Sequence, residues 1–467
     1  MKYILNEDYG LRSWMNAVFG VIRRRTPGLR IMPPEDFFAL TDCDGRHELE
    51  PSALLNQMHA EGIVRPALSG ERLSSWQQYW DFDNYFFPSL CWMLTGRCNF
   101  NCRHCFNAAD NAPLTTQWSW DEAQKLMDDA RDCGIQTVML TGGEPMLHPR
   151  FMDIARGIHA RGMVVDKLNT NGHFITQETL DEMKSFGCMP EMKISFDGVG
   201  HHDWMRGREG VEAETLSAIR LCVENGFEVM IQMNVHRGNA ESILPTLELL
   251  DEMGVHHTRM IRTSESPRWV KNAAGMSLEL REYFDLMLDA ARSYCAKEHR
   301  MHVRAWQFAD LFPEDRSYSP YMDCRSGREY RDSLPVCMLN RSMISITSDG
   351  EAVPCLQMSG YYEAHSIHLG NVKKDGLQSV LRDSDYLRSV CQTLGSLKTH
   401  NETCAACEFF SRCRGGCRAL ALAITGNTNG IDPTKCLFYR ENYEEKLRQA
   451  LPGWTNRDAR RPSFSQT

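Results

Sequence analysis

Between residues 91 and 263 the chain alternates short apolar runs with longer segments in which apolar residues recur every three or four positions. The runs CWMLT (91–95), QTVML (136–140), VVDKLNT (164–170), EMKISF (191–196), VMIQMNV (229–235) and TRMIRT (258–263) are rich in β-branched or large apolar residues and read as strands. The segments between them read as amphipathic helices. In the first, Ser119 and Glu122 have the spacing of a capping box, Ala123, Leu126, Met127 and Ala130 fall on one helical face, and Gly134 follows as a stop. Six strand–helix units predict an α/β fold whose parallel sheet curls into a partial (β/α)6 TIM-like barrel. In such sheets ligands sit at the C-terminal ends of the strands.

Outside this section the pattern changes. In EDFFALTDCDGRHELEPSALLNQMHAEGIV (35–64), Phe37, Phe38 and Leu40 have helical spacing, Asp44 and Gly45 make a turn, and a second helix carries Leu54, Leu55 and Met58 before Gly62. KYILNE near the N-terminus reads as an edge strand. The tail from Asn456, NRDARRPSFSQT, is polar and basic without an apolar period and reads as disordered. These shifts divide the chain into residues 1–85, 86–315, 316–440 and a C-terminal helix end and tail, 441–467.

Composition narrows the class. A chain of 467 residues has room for about three domains. Hydrophobic content of 42% and charged content of 24% describe a globular protein, and no run of 18 apolar residues is present to span a bilayer. No secretory signal is visible. The net charge of -9 argues against a nucleic-acid-binding face as the main business. Eighteen cysteines without a signal peptide point away from disulfides, toward thiolates that hold metal in a reducing cytoplasm.

The densest clue is CNFNCRHC, with Cys98, Cys102 and Cys105 directly after the first strand and so at the ligand-binding end of the sheet. A cubane of four irons needs a thiolate for each iron, so three cysteines leave one iron open for a substrate or cofactor. The competing reading is a structural zinc site with a distant fourth ligand, although zinc sites usually pair their ligands on two knuckles.

This motif and its context resemble the radical S-adenosylmethionine (SAM) superfamily, whose signature is CxxxCxxC after the first strand of a partial barrel. The resemblance implies that the open iron chelates the methionine part of SAM, and that an electron from the cluster cleaves the sulfonium to a 5'-deoxyadenosyl radical. It places His104 and Phe106 beside the adenosyl group. In TGGEP after the second strand, Gly142 and Gly143 let backbone approach a ligand ammonium that Glu144 can accept from. LNTNG, ending at Asn171 and Gly172, and ISFDG, with Ser195 and Asp197, resemble the family's ribose and methionine contacts. Arg206 offers a bidentate grip for a carboxylate. No catalytic acid or base stands out.

Toward the C-terminus, Cys337, Gly350 and Cys355 form Cx12GxxxxC, and CAACEFFSRCRGGC sets Cys404, Cys407, Cys413 and Cys417 ahead of Cys436. This frame resembles the SPASM domain, which carries two auxiliary 4Fe-4S clusters and so brings the expected total to three. The resemblance gives Cys337, Cys355 and Cys417 to the first auxiliary cluster and Cys404, Cys407, Cys413 and Cys436 to the second. Cys324 is the nearest upstream candidate to complete the first, with an open iron or Cys391 as alternatives. A pair of zinc knuckles is the competing reading. Cys43, Cys91, Cys133, Cys188, Cys222, Cys295 and Cys391 remain, with buried core as their default place.

Residues 1–85 resemble the winged-helix-like module (PqqD-like) that recognises leader peptides in ribosomal peptide modification, by adding a strand to a sheet edge. A barrel-capping helical extension is the alternative. Together these resemblances imply a peptide maturase that closes a thioether or carbon–carbon crosslink, with a leader-bearing precursor peptide and a flavodoxin or ferredoxin-type reductant as partners, and with no nucleic acid or membrane. Two other readings stand beside it. One is a radical SAM enzyme acting on a protein side chain or a small molecule. The sulfatase maturases among these carry an aspartate after the second cysteine of Cx12GxxxxC, where this chain has Leu356 and Gln357. The other is a non-catalytic iron–sulfur carrier or sensor, which has no need of the glycine–glycine–glutamate turn.

Overall fold

The computed structural model describes residues 1–26, 29–105, 116–263, 266–320 and 329–457. Its N-terminal part contains strands β1 (Lys2–Leu5), β2 (Tyr9–Trp14), β3 (Val18–Arg23), β4 (Leu29–Ile31), β5 (Asp44–Glu48), β6 (Val64–Pro66) and β7 (Trp80–Phe82), with helices α1 (Pro34–Thr41) and α2 (Ala53–Ala60). They build two small sheets, ordered β5-β1-β6 and β4-β3-β2-β7. Phe37, Leu40, Leu55 and Met58 bury the two helices against this core, with Leu54 partly buried beside them, whereas Phe38 is exposed, contrary to the spacing read in the sequence. The edge-strand expectation for KYILNE fails. Strand β1 is central, pairing antiparallel with β5 on one side and β6 on the other, and Tyr3, Ile4 and Leu5 are all buried. Three successive buried residues need cover on both faces, which an edge position does not give.

The main sheet has the seven parallel strands β8 (Ser89–Met93), β9 (Thr137–Thr141), β10 (Val164–Thr170), β11 (Glu191–Ser195), β12 (Val229–Val235), β13 (His257–Arg262) and β14 (His302–Ala305), neighbours in that order. Their connecting helices are α3 (Trp120–Asp132), α4 (Phe151–Ala160), α5 (Gln177–Ser185), α6 (His202–Arg206), α7 (Val211–Glu224), α8 (Ile243–Glu252), α9 (Pro267–Asn272) and α10 (Leu280–Cys295). The first six strands are the six expected ones, with the first displaced: it starts at Ser89, and Leu94 and Thr95 already belong to the loop. The capping box of α3 forms as read, with Ser119 Oγ accepting from Glu122 N and Glu122 Oε2 from Ser119 N, and Gly134 closes the helix at φ +77.

Periodicity did not reveal how the sheet continues. Strands β15 (Ala309–Phe312) and β16 (Ser317–Pro320) add antiparallel beyond β14. On the other edge β17 (Met343–Ile346) joins parallel to β8, with β18 (Ala352–Val353) outside it. The C-terminal cysteine region is thereby sewn onto the barrel at the strand that leads into Cys98. The tail expectation also needs correction at its start: Asn456 belongs to β19 (Thr455–Asn456), paired with β16, and Arg457 Nη2 donates to Asp315. Residues 458–467 lie outside the described part. Among the described residues no helix is long and apolar enough to cross a membrane. Cys43, Cys91, Cys133, Cys188 and Cys222 are buried, whereas Cys295 and Cys391 are only partly so.

Candidate active site and cluster-binding cysteines

Three strand ends lock together around the first cysteine loop. The turn after β9 lies so close beneath it that a Cβ on Gly143 would collide with the Arg97 and Gly96 carbonyls, and one on Gly142 with that of Thr95. Gly143 N and Glu144 N donate to the Thr95 and Arg97 carbonyls at 2.7 and 2.9 Å. Glu144 is fully buried, and its carboxylate accepts from Met146 N, Thr170 Oγ1 and Asn171 N at 3.1, 2.9 and 2.8 Å. Burial pushes this carboxyl up to about 7 against those three donors. Asn171 in turn donates to Asn99 Oδ1 at 2.8 Å and points the same amide at Cys98 Sγ, 3.9 Å away. Glu144 and Asn171 therefore serve first as a brace between the second and third strands and the cysteine loop.

A second polar cluster grips the loop from the other side. Arg206, on α6, faces Asp197 at 2.7 Å as an ion pair without hydrogen-bond alignment, and its Nη1 donates to Cys102 Sγ at 3.6 Å. Both side chains are buried. Burial alone would raise the Asp197 carboxyl, but the Arg206 charge and His202 outweigh it and hold the group well below the usual carboxylate range. His104 accepts from Asn234 Nδ2 at 3.0 Å through Nε2. Burial, with the Arg206 charge beside it, pushes the His104 ring down to about 3, so it is neutral and carries its proton on Nδ1. Ser195 ends β11, half-buried, one strand from these groups. Phe106 lies outside the described residues.

The donor chemistry fits a thiolate-held cluster with a ligand beside it. Phe100 N and Arg206 Nη1 both aim N–H groups at sulfur; burial outweighs the Phe100 bond and pushes the Cys98 thiol up to about 12, so a bound metal would be needed to hold it as thiolate. Beyond the Arg206–Asp197 ion pair, Arg206 Nε, Asn99 Nδ2 and His104 Nδ1 are buried donors with no hydrogen-bond acceptor among the described residues, and a bound carboxylate-bearing ligand would supply acceptors here.

In the C-terminal region most of the frame's cysteines begin or sit within short helices, and Cys407 lies in the turn between the helices Glu402–Ala405 and Phe410–Cys413. Cys337, Cys355 and Cys417 stand immediately before the helices Met338–Ser342, Leu356–Ala364 and Arg418–Thr425, with extended backbone. Burial raises the Cys355 and Cys417 thiols, and Cys417 also feels Cys355, so these two are neighbours. Cys404, Cys407, Cys413 and Cys436 lie within electrostatic reach of one another, each of Cys404, Cys413 and Cys436 being raised by burial and then by another of the four, although among the described residues no three such side chains are spaced to hold a single metal ion. Asp432 ties the two groups, its carboxylate accepting from Cys417 N at 2.8 Å and capping the helix Pro433–Arg440 that carries Cys436. A Cβ on Gly416 would collide with that carboxylate, which accounts for the second glycine of the RGGC stretch. Cys324 lies outside the described residues. For Cys391, the bond from Val336 N to the Gln392 carbonyl, 2.9 Å, places it one residue from a chain pairing that adjoins Cys337.

Comparison with known proteins agrees with this layout. Residues 92–250 match the radical SAM superfamily, and residues 337–408 match the SPASM iron–sulfur cluster-binding domain. The chain is a radical SAM enzyme with a SPASM domain. It is 25% identical to Fe-coproporphyrin III synthase of Methanosarcina barkeri over 76% of this chain and 88% of that one. To the antilisterial bacteriocin subtilosin biosynthesis protein AlbA of Bacillus subtilis it is 27% identical, over 69% and 65%. The crystal structure of Streptococcus suis SuiB bound to precursor peptide SuiA shares the fold, with a TM-score of 0.64 at 14% identity over 93% of this chain and 99% of that one.

Several residues of this radical SAM enzyme's site went unread in the sequence. Asn99 and Asn234, which bridge the loop to β10 and β12, look like ordinary loop and strand polarity. The one available signal was alternation: Gln232 and Asn234 interrupt an otherwise apolar strand at every second position, which marks a face turned away from the helices.

Proposed function

We propose that the enzyme is a maturase of a ribosomally synthesised precursor peptide, closing a thioether or carbon–carbon crosslink. The observation that carries the reading is the braced loop of Cys98, Cys102 and Cys105 beside unpartnered buried donors, on a chain that also gathers a second cysteine frame. The AlbA relative supports a peptide as substrate. In this reading the three cysteines hold the radical cluster, Arg206 and Ser195 take the SAM carboxylate, Gly142, Gly143 and Glu144 its ammonium, and Asn171 and His104 the nucleoside. When bound, the three clusters and SAM supply a carbon radical for hydrogen abstraction and an acceptor for the electron released as the crosslink closes. Residues 1–85 hold the leader, 86–315 form the reaction chamber and 316–440 the auxiliary domain, reduced by flavodoxin or ferredoxin in the cytoplasm.

The test uses anaerobically reconstituted enzyme, SAM and any short precursor-like peptide found encoded near its gene. Mass spectrometry should show loss of two hydrogens from the peptide and formation of 5'-deoxyadenosine. Deleting residues 1–85 should abolish that modification and spare abortive cleavage of SAM. A deletion variant that still modifies the peptide would remove the leader-binding role. The Fe-coproporphyrin III synthase relative favours a second reading, a small carboxylated molecule as substrate. Turnover of such a compound with the peptide left untouched would establish it instead.

A further inference from the structure

The concave face of the main sheet is a charged chamber. On β10 to β14, residues that face the helices, such as Leu168, Met192, Ile194, Ile231, Met260 and Val303, are almost fully buried, while alternate residues remain partly exposed. A closed barrel would fill that interior with apolar side chains. This one is lined by Lys167, Glu191, Lys193, Gln232, Arg259 and Arg304.

Register fixes where these side chains stand. Ser195, Gln232, Arg259 and Arg304 are direct cross-strand partners and form one row, so Arg259 lies two strands, about 10 Å, from Ser195. One row up, Asn234 bonds His104 in the cysteine loop. One row down stand Lys193, His257 and His302. On its other side Arg259 lies within the electrostatic reach of Cys355. The row thus lies between the two cysteine sets.

The charges in this chamber are not evenly paired. Lys167 meets Asp166 at 2.7 Å, and Arg304 meets Asp310. Lys193 stands 3.8 Å from Glu191, too far for a hydrogen bond. Arg259 has no ion-pair partner among the described residues. It donates to the neutral amide of Gln232, stacks its guanidinium 5.1 Å from the Trp306 ring, and leaves Nε buried with no acceptor. Burial, then the Arg259 charge, pushes the Lys193 ammonium down to about 8. Glu191 and Cys355 act on Arg259 only from a distance, so no carboxylate closes its guanidinium edge, and such an edge matches the two oxygens of a carboxylate.

We propose that Arg259, with Lys193 one row below it, forms a carboxylate-recognition site in the chamber, so that the substrate carries a carboxylate at this level. The proposal rests on the preceding reading only in taking the chamber as the place where substrate binds. The carboxylate belongs either to an acidic side chain of a peptide or to a free carboxylic acid.

Isothermal titration calorimetry on the full-length, cluster-loaded enzyme under anaerobic conditions distinguishes these sources. The probes are glutarate, its neutral counterpart glutaramide, acetyl-Gly-Glu-Gly-amide and acetyl-Gly-Gln-Gly-amide. Each charged probe should bind at least about tenfold more tightly than its neutral counterpart, Arg259→Gln should remove that preference, and Arg259→Lys should restore part of it. Tighter binding of the glutamyl peptide than of glutarate assigns the carboxylate to a peptide, and the reverse order to a free acid. Equal affinity for charged and neutral probes overturns the proposal. So does an Arg259→Gln protein of unchanged iron content that binds like wild type, the result expected if Arg259 only balances cluster charge. Should Arg259→Gln fail to load iron, Lys193→Gln carries the test, with several-fold weaker binding expected and unchanged binding contradicting the proposal. None of these titrations needs a precursor peptide, so a failure to modify peptides would not be mistaken for a failure here.

Discussion

The two cysteine sets are held in opposite ways. Cys98, Cys102 and Cys105 lie in a loop whose shape depends on polar side chains from other strands and their ends, Glu144, Asn171 and Asn234, and on Arg206 of α6. Most of the later cysteines are built into or just ahead of short helices, and they pack in apolar clusters, Cys404 and Cys407 with Val336, Leu394, Leu397 and Phe410, and Cys355 and Cys417 with Val353, Met358 and Leu422. The first arrangement leaves buried donors free for a ligand. The second spends its backbone donors on sulfur, as where Gln357 N bonds Cys355 and Leu420 N bonds Cys417. One region is arranged for exchange of ligands, the other for permanence.

The largest effect that would break this comparison is structural. Wild-type protein reconstituted under anaerobic conditions should hold about twelve irons, four per cubane. Replacing Cys404, Cys407, Cys413 and Cys436 by alanine should remove about four and also lower Tm sharply, because a cluster there would cross-link three short helices and the turn that carries Cys407. Replacing Cys98, Cys102 and Cys105 should remove about four irons while Tm barely moves. Equal melting of the two variants would erase the distinction.

Next comes the brace on the exchange side. Arg206→Ala leaves Asp197 as a buried carboxylate without its cation, a loss of about 3–5 kcal/mol that urea unfolding would register. The double variant Arg206→Ala/Asp197→Asn should recover part of it, since neither charge then remains. If the single and double variants unfold alike, the pair does not hold this end of the barrel.

The smallest effect concerns Glu144. Its carboxyl stands near 7 in the folded protein and at its ordinary value of 4.5 when unfolded. A raised acid is neutral in both states at low pH and costs stability as pH climbs from about 4.5 to about 7. Relative to Glu144→Gln, wild-type stability should therefore fall by up to about 3 kcal/mol across that window. A constant difference between the two proteins from pH 4.5 to 7 would contradict the assigned burial effect.

Much of this was legible in the chain because it is local. Strand runs, the capping box at Ser119 and Glu122, and the cysteine spacings each depend on residues close in sequence. What escaped depends on distant partners. Nothing near residue 343 says that Met343–Ile346 will pair with Ser89–Trp92, and nothing in KYILNE says that β5 and β6 will enclose it. Arg206 was read as a ligand for a carboxylate, and the structure gives it one within the chain, Asp197, nine residues away across α6. The carboxylate-binding chemistry was legible, but its first partner was not. Arg259 and Lys193 gave no signal as isolated residues, because only the register of four strands puts them in one chamber.

The most direct measurement of the central account is 5'-deoxyadenosine formation by dithionite-reduced enzyme supplied with SAM, followed by liquid chromatography. The wild type should produce it. The protein with Cys98, Cys102 and Cys105 replaced by alanine, still holding its auxiliary iron, should produce none. Cleavage of SAM by that variant at the wild-type rate would contradict the assignment of the loop after β8 as the radical-generating site.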